Sequence, residues 1–368
     1  MPRMLEQCAE TVFFGPGFVS SGELKLGLSA FISKSGPFDF IVSNEHFAWA
    51  KEANLNNLAR GYRSNYIMGF PLEDLTYLPK IFKDFLSLPQ KKIFTTLESD
   101  YYNFTPEQIS IVKFNFDLIV GWSNQFVRPF SELQELNRES FSAKANDNWA
   151  NFSNDFKKRF IPFHHFVSDD EFNYIPLSIR KSDWSIPGTR YAKRYAAFKF
   201  ISESEFTLSK KIRVPWAGLL SRIGLKPFTH RTFVNYYQES FRNEIKNSCF
   251  SYTCGSGLKY PLRKFFEIPA LGSVLVCSPC SGFDGLGFKN GINSIIAEPN
   301  NVIELGKFLS KDLDYAQTIA NAGRKLINDN HTVLARSKQL RSALDSFSSG
   351  NWFGGEWIDG KLVALRNA

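Results

Sequence analysis

Hydrophobic and polar positions follow one another along this chain in a repeating cycle: a short apolar run, a polar or glycine-bearing turn, then an amphipathic stretch. In the first half the apolar runs fall at 11–14, 38–42, 93–97, 116–120 and 160–163. Runs this short, closed by turn residues and followed by helical periodicity, predict buried strands alternating with helices, hence an α/β fold with parallel sheets. They end at Gly15-Pro16-Gly17, Ser43-Asn44-Glu45-His46, Glu98-Ser99-Asp100, Trp122-Ser123-Asn124-Gln125 and His164-His165. Ligands of open parallel sheets bind beyond the carboxyl ends of the strands, so these five turns predict one rim of a cleft.

Between 169 and 184 the rhythm breaks, with Ser168-Asp169-Asp170-Glu171 followed by Pro176. A domain boundary is expected there. A second α/β unit then follows, with strands predicted near 184–186, 249–253, 274–277 and 293–297 and helices over 232–246, 300–310, 312–328 and 331–346. The expected division is 1–175, 176–346 and a tail at 347–368. Gly350, Gly354, Gly355 and Gly360 among Trp352, Phe353 and Trp357 make that tail read as irregular, and its packing back on the first domain is left open.

Length and composition fit two domains, since 368 residues at 43% hydrophobic content can bury two ordinary α/β cores. No apolar run approaches the roughly 20 residues of a membrane-spanning helix, and Met1-Pro2-Arg3-Met4 lacks a signal-peptide plan, so a cytoplasmic, soluble protein is expected. The net charge of +8 is dispersed over short clusters, at Lys157-Lys158-Arg159, Arg190 to Arg194, Lys210-Lys211 with Arg213, and Arg263-Lys264. A few phosphates or anionic lipid headgroups suit that pattern, and nucleic acid does not. The 37 phenylalanines read as core. Cys249, Cys254, Cys277 and Cys280 have a spacing that tetrahedral zinc could use, but Cys249 and Cys277 belong to apolar runs, which favours reduced, metal-free thiols.

Candidate chemistry gathers at two glycine turns and two basic helix starts. The turns lack a Gly-Lys-Ser/Thr ending, and Ser20 interrupts the dinucleotide fingerprint after Gly15-x-Gly17. Arg190, Lys193 and Arg194 follow one predicted strand, and Lys259, Arg263 and Lys264 precede the helix that feeds 274–277. Either set could neutralise a diphosphate. Glu267 reads as an ordinary i,i+4 ion pair with Arg263, or as a carboxylate set among apolar residues for a ligand.

Three ordered motifs sharpen this: Tyr260-Pro261 with Lys264-Phe265-Phe266-Glu267, Ala270 and Gly272; then 286–293, from Leu286-Gly287-Phe288 to Gly291 and Asn293; then Ala320-Asn321-Ala322-Gly323-Arg324. On these, the stretch 236–336 resembles the C-terminal half of GT-B glycosyltransferases, most closely the branch labelled family 1 or spore-maturation-protein-like. The turn Ile186-Pro187-Gly188 with Tyr191 and Arg194 is similar to the start of that family's nucleotide domain, while the first half matches only in plan and in Phe14-Gly15-Pro16-Gly17.

The resemblance implies GT-B architecture, two facing Rossmann-like domains with an interdomain cleft. It also implies a nucleotide diphosphate sugar as substrate, with no cofactor and no metal. Donor contacts would come from Gly188, Arg190, Arg194, Tyr260, Arg263, Lys264, Glu267, Gly285, Leu286 and Gly287. Glu267 would take ribose or sugar hydroxyls, Lys264 or Arg263 would face the phosphates, Gly188 and Arg194 would close on the diphosphate, and the 284–287 turn would lie near the sugar. Leu275 stands where many relatives carry a second glutamate, so inverting and retaining chemistry both stay open.

An inverting route needs a base from the first domain, where the strand-end position favours Glu98 or Asp100 beside Tyr101 and Tyr102. Asp100 could equally be a turn cap. Acceptor contacts are expected from Gly15, Gly17, His46, His164 and His165. The acceptor would be a glycan or lipid-linked glycan of bacterial surface polysaccharide assembly, with peripheral contact to anionic membrane. A non-catalytic sugar-nucleotide or glycan binder and a two-domain sugar-nucleotide epimerase are the alternatives.

Overall fold

A computed structural model describes residues 2–44, 71–97, 104–122, 156–188, 192–209, 231–255 and 260–365. The first unit runs α1 (Pro2–Cys8), α2 (Ser21–Leu26), α3 (Leu28–Ser35), β1 (Phe40–Asn44), α4 (Leu78–Ser87), β2 (Lys91–Leu97), α5 (Pro106–Asn115), β3 (Leu118–Trp122) and β4 (Phe160–Phe163). Local chemistry sets the helix starts. Ser20 and Thr105 each close a capping box, with Glu23 and Gln108, and Pro106 occupies the first turn of α5, where its missing N–H costs nothing.

The strands form a parallel sheet in the order β1-β2-β3-β4. Both faces are covered, as a parallel sheet requires. Phe94, Ile119 and Phe160 pack on one side with Phe82, Phe85 and Phe116, while Ile93, Leu118, Val120, Ile161 and Phe163 point to the other. Gly121 faces the Phe160 ring, so a side chain there would drive the two strands apart. Pro162 lies on the edge strand β4, where no further ladder needs its N–H.

The second unit runs β5 (Ser182–Ser185), α6 (Ala192–Ser202), α7 (Arg231–Lys246), β6 (Ser248–Thr253), α8 (Lys264–Ala270), β7 (Val274–Cys277), β8 (Ile295–Ile296), α9 (Val302–Lys311) and α10 (Leu313–Asn330). Its sheet is again parallel, ordered β5-β6-β7-β8. Phe250, Tyr252, Val274 and Val276 face α6, α9 and α10; Leu275 and Cys277 face α8. Helix α8 ends at Gly272, which has φ +72 and whose N–H bonds Pro269 O at 2.8 Å. Arg180 then fixes the exit by donating to Leu271 O (3.1 Å) and Gly272 O (2.7 Å).

Three expectations are corrected. Residues 11–14 form no strand, because Phe14 packs into the first core with its ring 4.8 Å from Phe31 and no ladder partner lies beside it. The rim of the first sheet therefore has four strand ends among the described residues. The last helix, α11 (Val333–Ser348), expected in the second domain, packs instead on the first, where Val333, Leu340, Ala343 and Leu344 join α1 in covering the open face of the sheet. The tail is not irregular either. It forms an antiparallel hairpin, β9 (Gly355–Ile358) and β10 (Lys361–Ala364), turned by Asp359-Gly360 with φ of 47 and 84.

The chain passes between the units twice, and the two passages pair. Val167 N–H donates to His331 O and Val333 N–H to Val167 O, both at 3.0 Å.

Candidate functional site

The chain leaving β4 and the chain leaving β5 both reach α8, through His164 against Phe266 and Gly188 beside Lys264. Beyond β5 the chain turns at Gly188, whose φ of +80 suits glycine. A Cβ there would crowd the Lys264 side chain, lying 2.9 Å from its Nζ and 3.5 Å from Arg194 Nη1. Three residues expected to hold a diphosphate are thus neighbours, although 76 positions separate Gly188 from Lys264 (264 − 188). Arg194 sits in the first turn of α6, is fully buried and donates Nη1–H to Pro187 O at 3.1 Å, which aims its fork along the turn. Two cations over a bare glycine backbone can take an anion at close approach.

Beside them lies a polar chain across the ends of β6, β7 and β8. The buried Tyr252 hydroxyl bonds Ser278 Oγ at 2.7 Å, and Lys193 Nζ meets both oxygens of Glu298 at 3.0 Å. Lys193 is therefore an ion-pair partner rather than a free cation. Burial pushes the Tyr252 phenol up, which keeps it protonated as a donor.

Arg263 and Lys264, both candidates for the phosphates, have different surroundings in the structure. Arg263 is clasped by two carboxylates: Glu171, with a short charge-assisted bond, and Glu267 Oε1 at 2.8 Å. Glu171 is almost fully buried and also accepts Ser168 N–H at 3.1 Å. Glu267 keeps its i,i+4 partner but sits largely buried. Burial raises its carboxyl pKa, the Arg263 charge opposes that rise, and Glu171 adds to it.

His164 and His165 continue β4 into the same place. The His164 ring packs against Tyr260 (5.9 Å between centroids) and Phe266 (5.2 Å), and its Nδ1 accepts His165 N–H at 2.8 Å. Burial, followed by the charges of Arg263, Arg336 and Lys264, pushes His165 down to about 3, so it is neutral at ordinary pH. Tyr260 reaches into the first core, tying the start of α8 to the first unit.

Other expected residues lie elsewhere. Gly285, Leu286 and Gly287 lie against the C-terminal hairpin, with Gly285 half-buried. A Cβ at Gly285 would lie 2.7 Å from Trp357 O, Gly360 N–H donates to Gly285 O at 2.9 Å, and Leu286 is fully buried. Packing accounts for these glycines. Gly15 and Gly17 form a tight turn ahead of α2, closed by Phe18 N–H to Gly15 O at 3.0 Å, with open space beside Gly15. His46, Glu98, Asp100 and Arg190 lie outside the described residues. Cys249 Sγ–H donates to Leu177 O at 3.4 Å and Cys280 Sγ–H to Ser278 O at 3.3 Å. Among the described residues no group of three or more His, Cys, Asp or Glu side chains is placed to hold a metal.

Sequence reasoning missed two contributors. Glu171 was visible only as part of a boundary, though Ser168-x-x-Glu171 has capping-box spacing and that box forms. Arg336 left no signal. It is fully buried, stacks 4.0 Å above Trp357, bonds His331 Nδ1 at 2.6 Å and reaches His165 O at 3.4 Å. His331 Nε2 in turn bonds Leu286 O at 2.8 Å, so the ring is the Nε2–H tautomer.

No protein-family model and no curated protein matches this sequence. Among solved structures the chain is similar to Anabaena Alr3699/HepE in complex with UDP, at 8% identity and TM-score 0.46, covering 79% of this chain and 82% of that one. It is similar to a glycosyltransferase from Rickettsia africae at 13% identity and TM-score 0.45, covering 90% and 82%. It is also similar to a putative UDP-N-acetylglucosamine 2-epimerase from Listeria monocytogenes at 11% identity and TM-score 0.40, covering 95% and 85%.

Proposed function

We propose that this protein is a glycosyltransferase that moves a sugar from a nucleoside diphosphate donor to a glycan acceptor. One observation carries the reading: Gly188, Arg194 and Lys264 converge at the carboxyl edge of the second sheet. In this reading the diphosphate lies over Gly188 between the two cations, which stabilise the charge that develops as the sugar bond breaks. Glu267 accepts a ribose or sugar hydroxyl. His164 and His165 flank the acceptor side, and Glu98 or Asp100 takes the acceptor proton in an inverting reaction.

The two cations serve where other enzymes use a metal ion. The acceptor is proposed to be a surface polysaccharide intermediate, with the enzyme at the cytoplasmic face of an anionic membrane. No helix among the described residues is long and apolar enough to cross one.

A panel of nucleotide sugars, with transfer and hydrolysis followed by NMR of the anomeric proton, tests this. One donor should turn over, and Lys264→Ala should lower kcat by on the order of 100-fold, as loss of one charge-stabilising donor does elsewhere. Full activity in both Lys264→Ala and Glu267→Ala would refute the assignment.

A further inference from the structure

The Glu171, Arg263 and Glu267 cluster is the most unusual electrostatic feature beside the site. Arg263 stands at the cap position of α8 and bridges two carboxylates from different places. Glu267 belongs to the same helix. Glu171 belongs to the segment that joins the two units, four residues beyond Val167, where the two chain passages pair (171 − 167). Nε–H goes to Glu267 and one Nη2–H to Glu171, so two carboxylates face this one cation and offset its pull on a phosphate.

We propose that Arg263 is a positioning residue rather than a donor ligand: clasped by Glu171 of the joining segment, it holds the Glu267 carboxylate turned toward the donor hydroxyl. The proposal rests on the donor reading given above. The charged and titratable groups facing Glu267 are Arg263 and Lys264 on its own helix and Glu171 on the joining segment, with His165 beyond them against the same two cations. Arg263 favours the ionised form, and burial and Glu171 oppose it. The two neighbours of Glu267 therefore pull its ionisation in opposite directions, and their removal has opposite consequences. Losing Arg263 leaves a buried carboxylate beside another carboxylate. Losing the charge of Glu171 leaves the cation to Glu267 alone.

The test reads the Glu267 carboxyl by 13C NMR in full-length protein labelled at glutamate, with the resonance assigned by its absence in Glu267→Gln. Affinity for the tightest binder among UDP, GDP, ADP and CDP is measured in parallel from pH 5.5 to 8. In Arg263→Gln the Glu267 midpoint should rise by roughly one to three pH units, the effect of removing an adjacent opposite charge. In Glu171→Gln it should fall. Nucleotide affinity should then weaken at low pH in the first variant and stay flat in the second.

Midpoints that do not move, or that move in the same direction in both variants, overturn the proposal. So does a loss of affinity in Arg263→Gln that is equal at every pH, which would make Arg263 a direct phosphate ligand. If Arg263→Gln lacks a cooperative melt, Arg263→Lys and Glu171→Gln carry the comparison, the former staying near the native midpoint. Failure of every nucleotide to bind strikes the donor reading alone, because the midpoints are read without ligand.

Discussion

A buried histidine can be informative through the proton it refuses. His331 is fully enclosed, donates from Nε2 to Leu286 O and accepts from Arg336 at Nδ1, so burial and the Arg336 charge hold its pKa well below the usual value. An unfolded histidine titrates near 6.5, so as pH falls below about 6.5 the unfolded chain gains a proton that the folded chain does not. Stability is complete above that point and should decline below it, by at most about 1.4 kcal/mol per pH unit for each such group. His165 adds to the decline down to about 3, with a smaller share because it keeps some exposure. Urea midpoints between pH 8 and 5 should show this slope, and His331→Gln should flatten it. An unchanged slope in that variant would remove His331 from the account. At this scale the sequence was uneven. The glycine turn and two basic helix starts that bring Gly188, Arg194 and Lys264 together could be read, whereas the clasp of Arg263 could not, since it depends on Glu171, 92 positions before it.

Among the elements, the C-terminal hairpin has the widest reach for its length. Trp357 on β9 is buried in the core under α8, lies beneath the Arg336 guanidinium, and its strand borders β4 of the first unit. Asp359 meets Lys289 at 3.0 Å, an exposed pair that adds little, so the hairpin is held by apolar burial. Trp357→Ala should cost about 3–5 kcal/mol, the usual penalty for emptying an aromatic site in a core, read as a lowered urea midpoint. A loss below about 1 kcal/mol would mean that the hairpin merely rests on the surface. Asp359-Gly360 is a two-residue turn signal, but the glycines and tryptophans around it make the segment read as irregular. The strands at 160–163, 249–253 and 274–277 read almost as they form, because runs buried on both faces need no tertiary partner to be recognised. The strand expected at 11–14 has the same composition and failed, since pairing is a property of neighbours and not of the run itself.

In the whole molecule, two parallel four-stranded sheets repeat the same grammar, and the chain leaving β4 and β5 reaches α8 from both. That much follows from alternation and strand order. What alternation could not reveal is that the first unit borrows its second layer from the end of the chain. Residues Ile93, Leu118, Val120, Ile161 and Phe163 are covered by α1 and by Val333, Leu340, Ala343 and Leu344 of α11. A fragment ending at residue 188 should therefore lack a cooperative melt and bind a hydrophobic dye, and a sharp transition in that fragment would contradict the packing. On the ribosome, the half that emerges first cannot close its sheet until α11 has been made. The order of synthesis and the order of completion are then opposed, and chaperones that shield apolar strands have most to do during the interval before residues 333–348 arrive.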